Sequence, residues 1–150
     1  MSRSARAAVK RAGDLAAADG AATVEAEHLL LALTQQTNEP TARALNALGM
    51  TETAVRAVLD DEFTRALQTV GVAATVPPRR ASRPGRSTPK WGQSAKLTLV
   101  RTLQVALDRG HKRIDDRHIL LALSQAEAGV IPRVLRALDV TPSDIDAALR

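Results

Sequence analysis

The most constraining feature of this sequence is an internal repeat with an offset of 90 residues. Residues 24–33 (VEAEHLLLAL) align with residues 114–123 (IDDRHILLAL), and the register holds without a gap over residues 4–60 against 94–150. Of these 57 residue pairs, 18 are identical. A repeat of this length is one supersecondary unit that cannot bury its apolar side chains alone. The sequence therefore predicts two copies of one fold that pack against each other.

Helix-breaking residues divide each copy into four helices. In the first copy, the first helix ends at Gly20, the second begins near Glu25, the third runs from Pro40 to Gly49, and the fourth opens at Thr51. Glycine is favoured just after a helix, whereas proline and threonine are favoured at its start. The apolar residues recur at spacings of three and four. We expect an all-α fold of about eight helices, with two tandem four-helix repeats related by an approximate two-fold axis.

The amino-acid composition agrees with a helical core and excludes several kinds of functional site. The apolar residues are mostly Ala, Leu and Val, with one Phe (Phe63), one Trp (Trp91) and no Tyr, and such a set favours helices over strands. The lack of cysteine excludes disulfides, thiolate metal sites and cysteine nucleophiles. The sequence has no secretory signal pattern and no apolar run of membrane-spanning length, so we expect a cytoplasmic protein that does not enter membranes.

A segment rich in Pro, Gly, Ser and Arg separates the two copies. We assign residues 1–68 to repeat 1, 69–91 to a flexible linker and 92–150 to repeat 2, because residues 76–89 (VPPRRASRPGRSTP) have almost no apolar side chains to bury. The linker accounts for the net charge of +5, since it holds five cations and no acid: Arg79, Arg80, Arg83, Arg86 and Lys90.

The cationic linker leaves more than one interpretation open. Clustered arginines bind nucleic-acid phosphates, but base stacking needs interleaved aromatic residues and only Trp91 stands nearby. A solvated tether is the first interpretation, and contact with an acidic protein partner is the next. Trp91 is either pinned into a groove between the repeats or exposed as a binding anchor.

The residues that invite a catalytic or metal-binding role have a structural interpretation. His28 and His118 occupy equivalent positions in the two copies, and we expect each to be a structural histidine in the first turn of its second helix. The Ser-x-x-Lys spacing from Ser87 to Lys90 is interrupted by Pro89 inside the linker. We expect no catalytic residue, no metal site and no cofactor.

The repeated motif resembles the amino-terminal repeat domain of the Clp protein unfoldases. The resemblance rests on EHLLLAL at residues 27–33, on ALNALG at residues 44–49, and on the duplication itself, and it covers nearly the whole chain. It implies a domain that docks substrates and adaptors of an unfoldase and, in some members, proteins phosphorylated on arginine. No Gly-x-x-x-x-Gly-Lys-Ser/Thr phosphate loop follows, so we expect a free-standing docking domain that acts as adaptor, decoy or regulator.

The resemblance also implies which residues bind ligands. Glu27 occupies the acidic position that holds the guanidinium of phosphoarginine, whereas Arg117 at the equivalent position of repeat 2 would repel it. Cyclic-peptide antibiotics bind some relatives in the groove between the repeats, near an aromatic residue that opens each repeat. Trp91 occupies that position in repeat 2, and the non-aromatic Met1 occupies it in repeat 1. The predicted peptide-binding residues are Met1, Ser2, Arg6, Glu27, Trp91 and Lys96.

Three function classes follow from the sequence. The first is a non-catalytic module that binds protein segments or small peptidic ligands in a groove between the repeats, with a Clp-type unfoldase, its substrates or its adaptors as partners. The alternative is a small nucleic-acid-associated protein that uses the arginine-rich linker. An enzyme is the third, and it would need a site that no motif in the sequence indicates.

Overall fold

The computed structural model describes residues 1–71 and 88–150, and in this part of the chain it contains eight helices and two short strands. The prediction of an all-α fold with four helices per repeat is confirmed. The elements of repeat 1 are α1 (Arg3–Ala18), β1 (Thr23–Val24), α2 (Ala26–Thr34), α3 (Pro40–Ala47) and α4 (Glu52–Thr69). Those that follow are β2 (Lys90–Trp91), α5 (Gln93–Asp108), α6 (Asp116–Ser124), α7 (Val130–Ala137) and α8 (Pro142–Ala148).

The predicted linker is only partly described. Residues 72–87, and with them four of the five linker cations, lie outside the described residues. Its two ends are defined: α4 continues to Thr69, and the last two linker residues, Lys90–Trp91, form β2. The domain boundaries at 68 and 92 stay a prediction.

Helix packing follows an approximate two-fold axis between the repeats. α1 packs on α2 and α6, and its counterpart α5 packs on α6 and α2. α2 and α6 contact each other. The same axis relates the contact of α3 with α8 to the contact of α7 with α4. The predicted pseudo-two-fold arrangement is therefore present in the contacts between the two repeats.

α2 and α6 form the centre of the core because they are apolar on nearly every side. Leu29, Leu30 and Leu33 in α2 are at most 1% exposed, and so are their counterparts in α6. Burying one such side chain contributes about 1.5–3 kcal/mol. A helix that is apolar all round must be enclosed by its neighbours, and one apolar cluster accordingly spans both repeats. The outer helix α1 contributes small residues to it, among them Ala5, Ala8 and Ala12.

The short strands were not predicted, and they join one repeat to the other. β1 pairs with β2 in parallel, and the Gly92 amide donates to the Val24 carbonyl at 2.9 Å. At the equivalent place in repeat 1, the Ser2 amide donates to the Ile114 carbonyl at 2.7 Å. Each repeat thus begins by hydrogen bonding to the other one. Two residues are too few for the alternating pattern that reveals a strand in a sequence.

The two equivalent helices α1 and α5 are capped differently. The Ser2 hydroxyl caps α1 by accepting from the Ala5 amide at 3.1 Å. The residue equivalent to Ser2 is Gly92, which has no side chain, and the Glu25 carboxylate from repeat 1 takes over by accepting from the Ser94 amide and hydroxyl. A Cβ on residue 92 would overlap the Glu25 carboxylate. Gly92 therefore makes room for a cap that crosses between the repeats.

The Glu25 carboxyl is held in its charged form. Burial alone would raise its pKa, but hydrogen bonds from Ser94 and Thr23 act in the opposite direction, and the pKa of Glu25 is lowered. A carboxylate near a helix N-terminus is also favoured by the helix dipole. Protonation of Glu25 would therefore weaken the contact between the repeats.

We predict that Glu25→Ala lowers the free energy of unfolding by about 1 kcal/mol, the usual effect of losing an N-cap. Urea denaturation at neutral pH measures it. Because the pKa of folded Glu25 is lowered, its contribution is present above about pH 4.5 and is lost as pH falls through the folded pKa. The difference between wild type and variant should therefore shrink in acid.

A compensating variant provides the control for this prediction. Gly92→Ser in the Glu25→Ala background places a serine at the N-cap of α5, as Ser2 stands in α1, and should recover most of the lost stability. A double variant no more stable than Glu25→Ala would contradict the assignment of the cap to Glu25.

The two repeat histidines are part of helix capping. His28 Nδ1 accepts from the Glu25 amide at 2.9 Å, and His118 Nδ1 accepts from the Asp115 amide at 2.8 Å. A backbone amide can only donate, so Nδ1 carries no proton and the neutral ring holds its proton on Nε2. The Nε2 atom is then unable to ligate a metal or accept a proton while the cap is intact. The geometry therefore supports the structural interpretation of both histidines.

His118 differs from His28 in what its Nε2 atom faces. His118 Nε2 lies 2.7 Å from Nδ1 of His111, whereas His28 Nε2 lies 3.9 Å from a carboxylate oxygen of Asp19. Burial lowers the pKa of His118, and the nearby charges of Arg117 and His111 lower it further. Unfolded His118 takes up a proton near pH 6.5, and the folded residue takes it up only at lower pH. The contribution of His118 to the unfolding free energy therefore decreases as pH falls below about 6.5.

We predict that His111→Ala, which installs the residue that repeat 1 has at position 21, reduces this acid sensitivity. Removal of the second imidazole removes its repulsion of protonated His118. Urea midpoints at about pH 7.5 and pH 5.5 should differ less in His111→Ala than in wild type. Lys112→Ala is the matched control, and an equal pH dependence in all three proteins would contradict the role of His111.

Candidate functional site

A groove of about 460 Å³ opens where the two repeats meet. Ala26 and Glu27 of α2 line it from repeat 1, and repeat 2 contributes one side of α5 and the connection from α6 to α7: Ser94, Leu97, Thr98, Arg101 and residues 126–131. Volumes of about 300–1,000 Å³ accommodate small ligands or a few side chains of a peptide. The fold thus builds a cavity of this size from residues of both repeats.

The groove combines apolar lining with few charges. Leu97, Val130 and Ile131 supply large aliphatic side chains, and the charged lining residues are two acids and one base: Glu27, Glu127 and Arg101. Such a lining favours an apolar side chain with a polar or charged neighbour, because the charges fix orientation and the aliphatic contacts supply most of the binding energy.

An exposed aliphatic stripe on α5 extends from this groove. We define the α5 stripe as Leu97, Val100, Leu103 and Leu107, which are 53%, 69%, 49% and 60% exposed. Their spacings of three, three and four residues place them on one face of the helix. Contiguous exposed aliphatic side chains on a folded domain typically mark a surface that contacts another molecule.

The equivalent face of α1 has no such stripe. The residues at the corresponding positions of repeat 1 are Ala7, Lys10, Gly13 and Ala17. Both helices occupy equivalent places in the fold, so large aliphatic residues on the outer face of α5 are not needed for folding. The sequence contains this signal as a difference between the aligned repeats, although no binding residue was predicted at these positions.

We call the interface between the two repeats the seam. Three of the predicted peptide-binding residues lie on the α5 side of it. Glu27 lines the groove. Trp91 lies in β2, is half-buried and packs against the core, while Lys96 in the first turn of α5 is exposed. Of the six predicted residues, Glu27 is the one that lines this groove.

The other three predicted residues lie on the equivalent side of the seam, at the start of α1. Met1 is 45% exposed, and Ser2 is half-buried, bonded to Ile114 and engaged in capping. Arg6 is exposed on α1. Met1 and Arg6 thus occupy the places equivalent to Trp91 and Lys96, and the role of all six residues in binding stays a prediction.

Arg117, the counterpart of Glu27, forms part of a polar cluster. One of its terminal nitrogens pairs with an Asp115 carboxylate oxygen at 3.2 Å, and the neighbouring Asp116 accepts from the Ser4 hydroxyl at 3.1 Å. Gln36 adds a hydrogen bond to the Ser4 carbonyl at 2.9 Å. The site on the α1 side that is equivalent to the α5 groove is therefore polar, whereas the α5 groove is mainly apolar.

The described residues contain few candidates for other chemistry. Within residues 1–71 and 88–150, no group of three or more His, Asp or Glu side chains is placed to hold a metal ion. Ser87 of the Ser-x-x-Lys spacing lies outside the described residues. None of the described helices combines the length and apolar character that a bilayer crossing requires.

Solved structures with a similar fold include two N-terminal domains. The N-terminal domain of the caseinolytic protease associated chaperone ClpD from Arabidopsis thaliana is 20% identical with a TM-score of 0.71, and the match covers 99% of this chain and 91% of that chain. The Hsp104 N-terminal domain from Candida albicans is 15% identical with a TM-score of 0.69, covering 99% and 88%. A structure from an investigation of a malarial protein secretion system is 20% identical with a TM-score of 0.66, covering 99% and 90%. At these identities the likeness shows the fold alone.

The sequence itself establishes the family. No curated protein matches it significantly in a direct sequence comparison. The family model of the Clp repeat (R) N-terminal domain, however, matches residues 1–83 and again residues 90–150, one match for each half of the duplication. The repeated motif, the eight helices and the double match agree, and the chain belongs to the Clp repeat N-terminal domain family.

Proposed function

We propose that this chain is a non-catalytic docking domain that holds apolar protein segments on the α5 stripe and in the adjoining groove. The observation that carries the proposal is the exposure of Leu97, Val100, Leu103 and Leu107 at positions where the equivalent helix has small or charged residues. Membership of the Clp repeat family supports it, because domains of this family dock the substrates and adaptors of Clp unfoldases.

Binding on this surface needs no chemical step. An apolar segment that covers the stripe removes aliphatic area from water, at about 25 cal/mol per Å². Glu27 and Arg101 at the groove select a segment whose polar groups can pair with them, since an unpaired charge in a covered groove is costly. The result is reversible, ATP-independent binding that is tuned by sequence.

The proposed partners are a Clp-type unfoldase, its substrates or its adaptors, and the domain would act as an adaptor, a regulator or a decoy. Arginine-phosphorylated proteins and cyclic peptides are finer versions of the same proposal. Glu27 supports binding of arginine-phosphorylated proteins, because its carboxylate lies at the groove and suits a guanidinium. The position of Trp91 and Lys96 near the start of α5 supports binding of cyclic peptides.

We predict that Leu97→Ala with Leu107→Ala, which installs the residues of the equivalent α1 positions, weakens binding of a neutral leucine–glutamine peptide about tenfold or more. Each truncation removes aliphatic contact area, and about 1.4 kcal/mol corresponds to a factor of ten. Fluorescence anisotropy of the labelled peptide measures the affinity.

The control is Phe63→Ala, which truncates another exposed apolar side chain on α4. The affinity of Phe63→Ala for the leucine–glutamine peptide should stay within about twofold of the wild-type affinity. Equal losses in both variants, or no binding by wild type, would overturn the assignment of docking to α5.

We further predict that Glu27→Gln weakens binding of arginine-phosphorylated casein about tenfold, because a charge-assisted hydrogen bond to a guanidinium contributes about 1.5–3 kcal/mol. Isothermal titration calorimetry measures the affinity and the number of sites. Glu127→Gln, which neutralises the other acid at the groove, is the matched control. An unchanged affinity in Glu27→Gln would remove Glu27 from the site.

A further inference from the structure

A second surface lies on the other side of the seam, where the start of α1 meets the residues before α6. We define the basic face as Arg3, Arg6, Lys112 and Arg113, all of which are exposed. The Ser2 amide donates to the Ile114 carbonyl at 2.7 Å, so Arg3 and Arg113 are each one residue from a hydrogen-bonded pair. Their Cα atoms are therefore at most roughly 13 Å apart.

These cations have no carboxylate partners within the described part of the chain. Nearby cations are paired: Lys10 bonds to Asp14, and Arg117 bonds to Asp115. No ion pair joins Arg3, Arg6, Lys112 or Arg113 to any residue of 1–71 or 88–150. Four cations without an acidic partner make the local potential positive, and an added anion would lower it.

The pseudo-two-fold axis provides an internal comparison for this face. The equivalent positions on the α5 side hold Gln93, Lys96, Ala22 and Thr23, which amount to one cation where the basic face has four. The fold therefore tolerates neutral residues at three of these four places. The charge is a property of this surface and not a requirement of the repeat.

We propose that the basic face is a second docking surface, distinct from the α5 groove, that binds an acidic segment of a partner protein. Arg3 and Arg6 stand one helical turn apart, about 4.5 Å along the axis. Arginine binds carboxylates bidentately, and closely spaced Asp or Glu side chains can pair with this row and with Lys112 and Arg113. Such contacts guide encounter and fix orientation, and they complement the apolar contacts at α5.

A protein segment fits this face better than a nucleic acid. Single strands are held by aromatic side chains that stack on bases as well as by cations. The tryptophan and the phenylalanine lie elsewhere, since Trp91 belongs to the α5 side in β2 and Phe63 belongs to α4. The described residues thus offer the basic face electrostatic contacts without a stacking platform.

The test uses the full chain and a fluorescein-labelled peptide of alternating glutamate and glycine. Arg3→Gln with Arg113→Thr, the residues of the equivalent α5-side positions, should weaken peptide binding about fivefold, the sum of two exposed ion pairs. Arg43→Gln with Arg136→Gln removes the same charge from exposed positions on α3 and α7 and should change binding less than about twofold. A labelled oligo-dT with the same number of negative charges is titrated in parallel.

Each outcome decides the proposal. A selective loss in the Arg3/Arg113 variant, with oligo-dT binding no tighter than the peptide, supports it. Equal losses in the two double variants, or no binding by wild type, would overturn it, because the attraction would then follow net charge alone. Tighter binding of oligo-dT through Arg3 and Arg113 would replace the acidic segment with nucleic acid. The probe has no apolar side chain, so its failure leaves docking at α5 untouched.

Discussion

The packing of α2 against α6 is the interaction on which the rest of this structure depends. Both helices are apolar on almost every side, and neither could be stable unless other helices enclosed it. The four residues Leu-Leu-Ala-Leu at 30–33 recur unchanged at 120–123, and all eight are buried. Each helix therefore meets the same surface in its partner, and a two-fold relation follows from the contact itself. The outer helices α1 and α5 then cover the exposed sides of this pair, so the two repeats share one core.

Secondary contacts at the seam make the arrangement specific. The Ser2–Ile114 and Gly92–Val24 hydrogen bonds are equivalent, yet the helix caps next to them are not. Replacement of a capping serine by Gly92 is compensated by the Glu25 carboxylate of the other repeat, which fits because residue 92 has no Cβ. A cap that crosses between the repeats contributes to their orientation as well as to the stability of α5, whereas the Ser2 cap contributes to α1 alone. The unlike residues at this one position thus make the capping of α5 depend on repeat 1, whereas α1 is capped by a residue of its own repeat.

The sequence predicted those features of the fold that are marked by the internal repeat or by helix-breaking residues. Gly20, Pro40 and Thr51 mark ends that agree with the observed helices to within a few residues, and the offset of 90 predicted the pseudo-symmetry. It did not predict β1 with β2 or the Glu25 cap, because two-residue pairing and long-range capping leave no periodic pattern. For the candidate site, the resemblance led to Glu27, which lines the groove, but not to the α5 stripe. A spacing of three and four normally indicates a buried face, and only the buried Thr98, Thr102 and Val105 on the other side of α5 show that Leu97 and Leu103 point outward.

Duplication explains why two unlike surfaces can exist on one small fold. Substitutions on the outer faces of α1 and α5 leave the shared core unchanged, since Ala5 and Ala95 remain identical and buried beneath them. Aliphatic residues lie on one side of the seam and cations on the other, while the residues outside 69–91 hold equal numbers of acids and bases. Random drift on a solvated surface would not place four large aliphatic side chains in a row, because exposed aliphatic area promotes aggregation unless something covers it. The proposed docking surfaces require such a difference, because a domain with unlike faces on one core can hold a partner in a single orientation.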